Sequence, residues 1–574
     1  MAKRSRLPDG ISDYKMLVDD GFIYVDKTKY IELLENTKSY VFFLRPRRFG
    51  KSLFTSVLEY YYGINYKDEF ESLFGNTYIG QFPTSKKNKY YVLKFNFTGL
   101  KTDSGDNLLK SFRASTLTSY EVFCANYGLS FDYPKESEPA EILNSFLARF
   151  KIHVKGQIYF IIDEYDHFAN ELLSFREELF SGIVSETGFV RKWYEKIKDH
   201  TGTGTIARFF ATGVSPITNV NLFTLDSLTS GFNIATDLTR WGIFNEMMGF
   251  TEVDIRWLIE ETLKDEIGME EKERIVAEMR SCYNGYLFSA DANNRLFNSN
   301  MSLNYLSGYY VGKRPPRELL DTSIASDYSK LAGLFALKNK SSNYQVLQDI
   351  IDGKEQFAYI TAQYSLEKRF DQNDFLSLLY YLGYLTIDSF YAGMVKLKVP
   401  NYVVKELYFS YFEKILEEEF KYELDVVNIQ MALATLAGEG DNTMLITCIE
   451  TVLTSMSNRD SIKMDEKYIK TICFTLCMLS KCYLVESENE VNKGYTDIQL
   501  MKRPGIDVNY YAIIEFKYLS KADGSEGNVV RKLEEAKKQL ERYSTSPKYK
   551  GMERLKKWAI VFVQDECVRN EEIS

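Results

Sequence analysis

No two cysteines in this 574-residue chain are spaced as CxxC, no apolar run is long enough to span a bilayer, and there is no broad excess of basic residues. Each absence removes a class of function. The seven cysteines include Cys473, Cys477 and Cys482 within an apolar helical pattern, which reads as buried free thiols rather than disulfides or zinc ligands and suits a reducing compartment. Runs such as IYFII and AIVFV are too short to cross a membrane, and the opening MAKRSRLPDG has no apolar core for a secretory signal, so a cytoplasmic protein without membrane contact is expected. The net charge of -9 argues against histone-like or repressor-like duplex binding, which rests on a broad basic surface. Any nucleic-acid contact must be local. Residues 491–557 carry 15 Lys and Arg against 9 Asp and Glu, whereas Glu413–Asp425 is markedly acidic. No fixed-period repeat and no low-complexity linker is present.

What is present is a chain too long for one core; its length suggests about three or four domains. Hydrophobic residues at 45% and charged residues at 26% are ordinary for a globular protein. Apolar runs at Tyr40–Leu44, Tyr90–Phe97, Gln157–Ile162 and Ala207–Ala211 are separated by helical stretches long enough for crossovers, which predicts a parallel sheet covered on both faces. From about residue 251 the pattern turns helical. SLLYYLGYLTI followed by MVKLKVPN predicts a helix and a small β-ribbon, as in a winged-helix-like connector. From Asp465 a helix, strands at Tyr483–Glu486 and Thr496–Met501, YYAIIEFKYLS, a second helix and WAIVFV form a separate α/β unit.

Three motifs bear on phosphate chemistry. FLRPRRFGKS, between a strand and a helix, ends like a phosphate loop, although Arg45 stands where the usual first glycine would be. Gly50 permits close backbone approach, Lys51 can reach the β- and γ-phosphates, Ser52 can ligate Mg²⁺, and Pro46 fixes the turn where other loops use glycine. Arg47 and Arg48 either neutralise phosphate or are solvated loop residues. IYFIIDEYD is an apolar strand ending in Asp163 and Glu164, the first suited to the water shell of Mg²⁺ and the second to orienting a water. ATGVSP offers Thr212 or Ser215 as a γ-phosphate sensor, or only a glycine turn. Pro46, Arg47, Arg48, Phe49, Gly50, Lys51, Ser52, Asp163 and Thr212 form the candidate nucleotide-binding set, with Ser52 and Asp163 as metal ligands and Glu164 as a catalytic residue.

RPRRFGKS, IIDEYD, YVDKT, TGVS, GFTE and CYNGYLF followed by FNSNMSLNYL together resemble a bacterial family of AAA-ATPase-like proteins over roughly residues 7–320. The resemblance implies an ATP-binding parallel-sheet core at 1–250, a helical lid at 251–320 and tolerance of an arginine-rich loop. It also implies that Tyr24–Thr28 lies beside the adenine. Residues 321–455 are then a helical connector.

In AIIEFKY the strand alternation puts Glu515 and Lys517 on one face, and an acid beside a lysine at the end of an apolar strand needs a partner. Asp497 meets Glu515 if the two strands are antiparallel neighbours. This set resembles the PD-(D/E)XK nuclease superfamily over about residues 456–574, with Thr496 in place of the proline. The resemblance implies Asp497 and Glu515 as Mg²⁺ ligands, Lys517 as the group that positions the nucleophile or stabilises charge, Glu466 as an additional acid, and Gln539 on a helical face with Ala536 and Tyr543. Lys537 and Lys538 either track a phosphate backbone or are solvated.

The expected whole is an α/β multidomain protein: a P-loop core with a helical lid, a helical middle and a C-terminal nuclease-like domain. ATP, Mg²⁺ and a nucleic acid are the expected ligands. The expected function is an ATPase whose nucleotide state controls cleavage of DNA or RNA, with a bacterial genome-defence role as an analogy. A non-cleaving binding or signalling module is the alternative, and a homo-oligomer stays open.

Overall fold

The computed structural model describes residues 6–573 apart from 170–187, 217–234, 265, 321–333, 336–339, 352, 363–370, 421–423, 458–465, 487–489, 492–493, 496, 547 and 550–551. Thr496, expected in place of a motif proline, lies outside the described residues. The chain divides into two compact units, Met1–Lys313 with Leu320–Asn343 and Glu355–Tyr402, and Arg314–Leu319 with Tyr344–Lys354 and Val403–Ser574.

The first unit is built on five parallel strands: β1 (Tyr40–Leu44), β2 (Tyr91–Asn96), β3 (Ile158–Asp163), β4 (Ile206–Gly213) and the two-residue β5 (Thr236–Asp237), in the order β2-β3-β4-β1-β5. All six residues of β3 are buried, which is why its sequence runs apolar without alternation. Because β1 pairs with β4 and β5, the loop leaving its carboxyl end opens at a reversal of strand order, where such sheets place ligands. Helices Gly105–Tyr127, Pro139–His153 and Phe189–Gly202 carry the aromatic half of the core, with Trp193 meeting Phe95 edge-on at 5.2 Å.

Beyond the sheet, Glu252–Leu263 starts with a capping box between Thr251 and Asp254, and Met269–Tyr283 and Ser299–Gly312 follow. The expected helix and ribbon are a helix at Gln372–Leu382, closed by Gly383 at φ 83°, and a three-stranded antiparallel sheet. Its strands β6 (Gln356–Ala358), β7 (Thr386–Tyr391) and β8 (Met394–Lys398) are ordered β6-β8-β7.

The second unit contains β9 (Tyr483–Glu486), the short hairpin of β10 (Glu490–Val491) and β11 (Gly494–Tyr495), then β12 (Ile498–Lys502), β13 (Tyr511–Leu519), β14 (Leu555–Val563) and β15 (Glu566–Glu572). The sheet order is β15-β14-β13-β12-β9, parallel only between β13 and β14. The helix Glu526–Ser544 makes that parallel crossover. It turns Val529, Leu533, Ala536, Leu540 and Tyr543 onto Ile513, Ala559 and Val561, a stripe at helical spacing.

Candidate functional sites

At the end of β1 the backbone turns through Arg45–Gly50 into the helix Lys51–Tyr62. Arg45 is buried, and its guanidinium donates to the carbonyls of Leu44 (2.8 Å), Thr239 (3.0 Å), Asn245 (3.2 Å) and Phe244 (3.3 Å). It also lies 4.2 Å and 4.3 Å from the ring centroids of Phe43 and Phe288. Burial pulls its pKa down to about 9, so the charge is kept by these acceptors at a cost in desolvation. The residue in the place of the first glycine is therefore a core strut. The left-handed backbone positions in this loop are Arg48 (φ 70°) and Gly50 (φ 88°), so no glycine is required at 45.

The loop is pinned from behind by residues far downstream. Gly249 N–H donates to the Phe49 carbonyl (3.1 Å), Asn300 N–H to the Arg48 carbonyl (3.2 Å) and Asn298 Nδ2 to the Arg47 carbonyl (3.2 Å). The Phe49 ring meets Tyr286 and Phe288 edge-on at 5.0 Å and 5.4 Å. Gly249, at φ 95°, must lack a side chain, because a Cβ there would stand 2.9 Å from that ring. The motifs GFTE, CYNGYLF and FNSN thus owe their association with the phosphate loop to direct contact.

Lys51 is buried at the start of its helix, donating to the Pro46 carbonyl (3.2 Å) and standing 3.3 Å from Glu164 Oε1. Asp163 closes β3. Burial raises its pKa, and the Ser52 hydroxyl is the largest influence opposing that rise. Asn96 donates to Asp163 Oδ2 at 3.4 Å, while Oδ1 is buried without a hydrogen-bond partner. Glu164 adopts a left-handed φ of 52°. Burial pushes its carboxyl up, but Lys51, Arg47 and His167 outweigh this and hold it below the ordinary range, hence ionised. The orphaned Oδ1 of Asp163, on a carboxylate that the Ser52 hydroxyl also influences, fits a divalent cation, which would complete its shell.

A cavity of about 440 Å³ adjoins the loop. Arg48, Phe49, Gly50, Lys51, Ser52 and Glu164 line it together with Tyr24, Val25, Lys27, Met247 and Leu258, an apolar wall beside a phosphate-ready one. Thr212 is corrected: its buried hydroxyl donates to the Phe43 carbonyl at 2.7 Å, tying β4 to β1, and it is not presented to the cavity. Ser215 is likewise held, by Asp166 Oδ2, which accepts from its N–H (2.6 Å) and hydroxyl (3.1 Å). Asp166 was not singled out from the sequence. Its only signal was a third acid two places beyond Glu164.

In the second unit, β12 and β13 are antiparallel with Ile498 opposite Ile514, which brings Asp497 beside Glu515. Asp497 Oδ2 accepts the Phe516 N–H (2.8 Å), and Lys517 Nζ donates to Glu515 Oε1 (2.9 Å) and lies 3.8 Å from Glu466 Oε1. Glu515 is 1% exposed, and its Oε2 is buried without a hydrogen-bond partner. Burial and then Asp497 push its pKa up to about 7; burial also raises that of Asp497. Lys470, which the sequence reading passed over, bridges Asp497 Oδ1 (2.8 Å) and Glu466 Oε1 (2.9 Å). Its signal was the four-residue spacing from Glu466 on one helix.

Tyr543, on the helix Glu526–Ser544, has its pKa raised by burial and then by Glu515, so that helical face borders the acids. Gln539 on the same helix is half-buried, its Oε1 without a hydrogen-bond partner. Lys537 pairs with Glu571 (2.8 Å) and Glu534 (3.2 Å). Lys538 is exposed. Among the described residues no three His, Cys, Asp or Glu side chains gather as a metal cage. The Asp497–Glu515 pair with its orphaned oxygen nonetheless fits a cation. Also among the described residues, no helix is long and apolar enough to cross a membrane.

Residues 8–223 match the family model described as "Predicted AAA-ATPase", and residues 464–572 match that of the PD-(D/E)XK nuclease superfamily. A curated relative, an uncharacterized protein in the vnfD 5' region of Azotobacter chroococcum mcd 1, is 29% identical over 295 residues, covering 50% of this chain and 50% of that protein. The chain therefore matches about half the length of that relative. It combines an AAA-ATPase-like domain with a C-terminal domain of the PD-(D/E)XK nuclease superfamily.

Proposed function

We propose that this protein is a cytoplasmic ATPase whose nucleotide state governs metal-dependent cleavage of DNA or RNA by its second unit. The observation that carries the reading is the pairing, in one chain, of Lys51 and Ser52 against Asp163 and Glu164 with a second acid–lysine set, Asp497, Glu515 and Lys517. In the first unit the Gly50–Ser52 amides and the helix start face an anion, Lys51 supplies mobile charge, and Glu164, ionised, accepts a proton from an attacking water. Mg²⁺, when bound at each site, neutralises phosphate charge and lowers the pKa of a water. In the second unit Asp497 and Glu515 would hold that cation, and Lys517 would stabilise charge on the scissile phosphate. Glu466, 3.8 Å from Lys517, is the additional acid in this reading, and Gln539 the further polar residue offered by the helix Glu526–Ser544. The proposed domain limits are a core at 1–250, a lid at 251–320, a connector at 321–455 and a nuclease-like domain at 456–574. Genome defence is the biological setting proposed.

The deciding experiment incubates the pure full chain with plasmid, linear duplex, single-stranded DNA and RNA, varying Mg²⁺ or Mn²⁺ together with ATP and a non-hydrolysable analogue. Cleavage that disappears in Lys517→Ala and responds to nucleotide supports the reading; uncut substrates under every condition sink the nuclease half. One observation favours a second reading, a non-cleaving module that binds nucleic acid or protein: Lys470 already neutralises Asp497 from within. Retained binding with no cleavage in the same assay supports that module.

A further inference from the structure

Resting on the reading of the second unit as a divalent-metal site, we propose that Lys470 is an internal cation that competes with the metal for Asp497. Three carboxylates, from Glu466, Asp497 and Glu515, face two ammonium groups. The two oxygens of Asp497 are not equivalent. Oδ2 is held by the Phe516 N–H, a main-chain bond that fixes the carboxylate to β13, so Oδ1 is the atom left to turn toward a metal. Lys470 Nζ stands 2.8 Å from that Oδ1. A divalent ion accepting it has to share one oxygen with an ammonium or displace it, and like charges at such separation in a half-buried site repel strongly.

Glu466 gives the displaced ammonium somewhere to go. Its Oε1 lies 2.9 Å from Lys470 and 3.8 Å from Lys517, so Lys470 can withdraw from Asp497 and remain paired. Glu515, by contrast, offers an oxygen that no group contests, its buried Oε2. One ligand is thus ready and the other guarded. The residue's effect is on metal affinity, and through it on when the site can act.

Isothermal titration of the nucleotide-free full chain with Mn²⁺ tests this, the heat lost in Asp497→Asn defining the site. Lys470→Met is expected to bind Mn²⁺ at least about tenfold more tightly than wild type, the effect of removing one nearby positive charge. Lys470→Arg, which keeps the charge, is expected to stay near wild type. Where Lys470→Met loses the wild-type circular dichroism, Lys470→Gln replaces it. Equal or weaker binding in the neutral variant overturns the proposal while leaving the metal site standing. So does an equal gain in Lys470→Arg, which assigns the effect to packing. No Asp497-dependent heat in any of these proteins removes the metal-site reading itself, and the proposal with it.

Discussion

Arg45 and Glu515 are both buried charges, and the groups around them set opposite fates. The Arg45 guanidinium has four carbonyl acceptors within 3.3 Å, so its removal strands those acceptors without touching the cavity. Arg45→Met is expected to destabilise the fold by about 3–5 kcal/mol, read as a fall in thermal midpoint, with the cavity lining unchanged, whereas Lys51→Ala loses nucleotide binding outright. Glu515 has an unbonded oxygen and a pKa raised to about 7 from an ordinary 4.5. With the folded value above the unfolded one, the folded state binds the proton more tightly. Stability is full below the unfolded pKa and falls as pH rises toward the folded one. Between pH 5 and pH 8 the wild type should lose about 2 kcal/mol relative to Glu515→Gln in urea denaturation, measured without metal. Parallel curves across that range would show that Glu515 ionises normally.

Among the elements, the helix Ser299–Gly312 has two tasks that one residue joins. Asn298 Oδ1 accepts the Met301 N–H as the helix cap, while Nδ2 holds the Arg47 carbonyl. Asn298→Asp keeps the cap and loses the donor; Asn298→Ala loses both. Both variants are expected to weaken ATP-analogue binding about tenfold by loosening the loop. Only the alanine variant should also lose about 1 kcal/mol of stability. Unchanged binding in Asn298→Asp would leave the loop's shape independent of that bond. The strands β1 to β4 were legible because each is an apolar run, and helical stretches separate one from the next. β5 was not, since Thr236–Asp237 owes its pairing to Val41 and Phe42 rather than to its own composition. The Asp497–Glu515 adjacency was legible from strand alternation. Lys470, Asp166 and the direction of the Thr212 hydroxyl were not, because nothing in a linear spacing says which oxygen a side chain will meet.

For the whole molecule, two sets of acids and lysines in separate units make separable losses the natural test. Lys51→Ala is expected to cut ATP hydrolysis at least about a hundredfold and to abolish any effect of ATP on cleavage, while leaving Mn²⁺ binding at Asp497 intact. Asp497→Ala should do the reverse, keeping wild-type ATP turnover in a phosphate-release assay. If Lys51→Ala cleaves with full nucleotide dependence, the proposed control fails. The inward turn of Arg45 also bears on how distant kin are sought. A fingerprint that insists on small residues at the opening of the loop discards chains of this kind. One that weighs Gly50 together with the remote asparagines that clasp the main chain from behind would retain them.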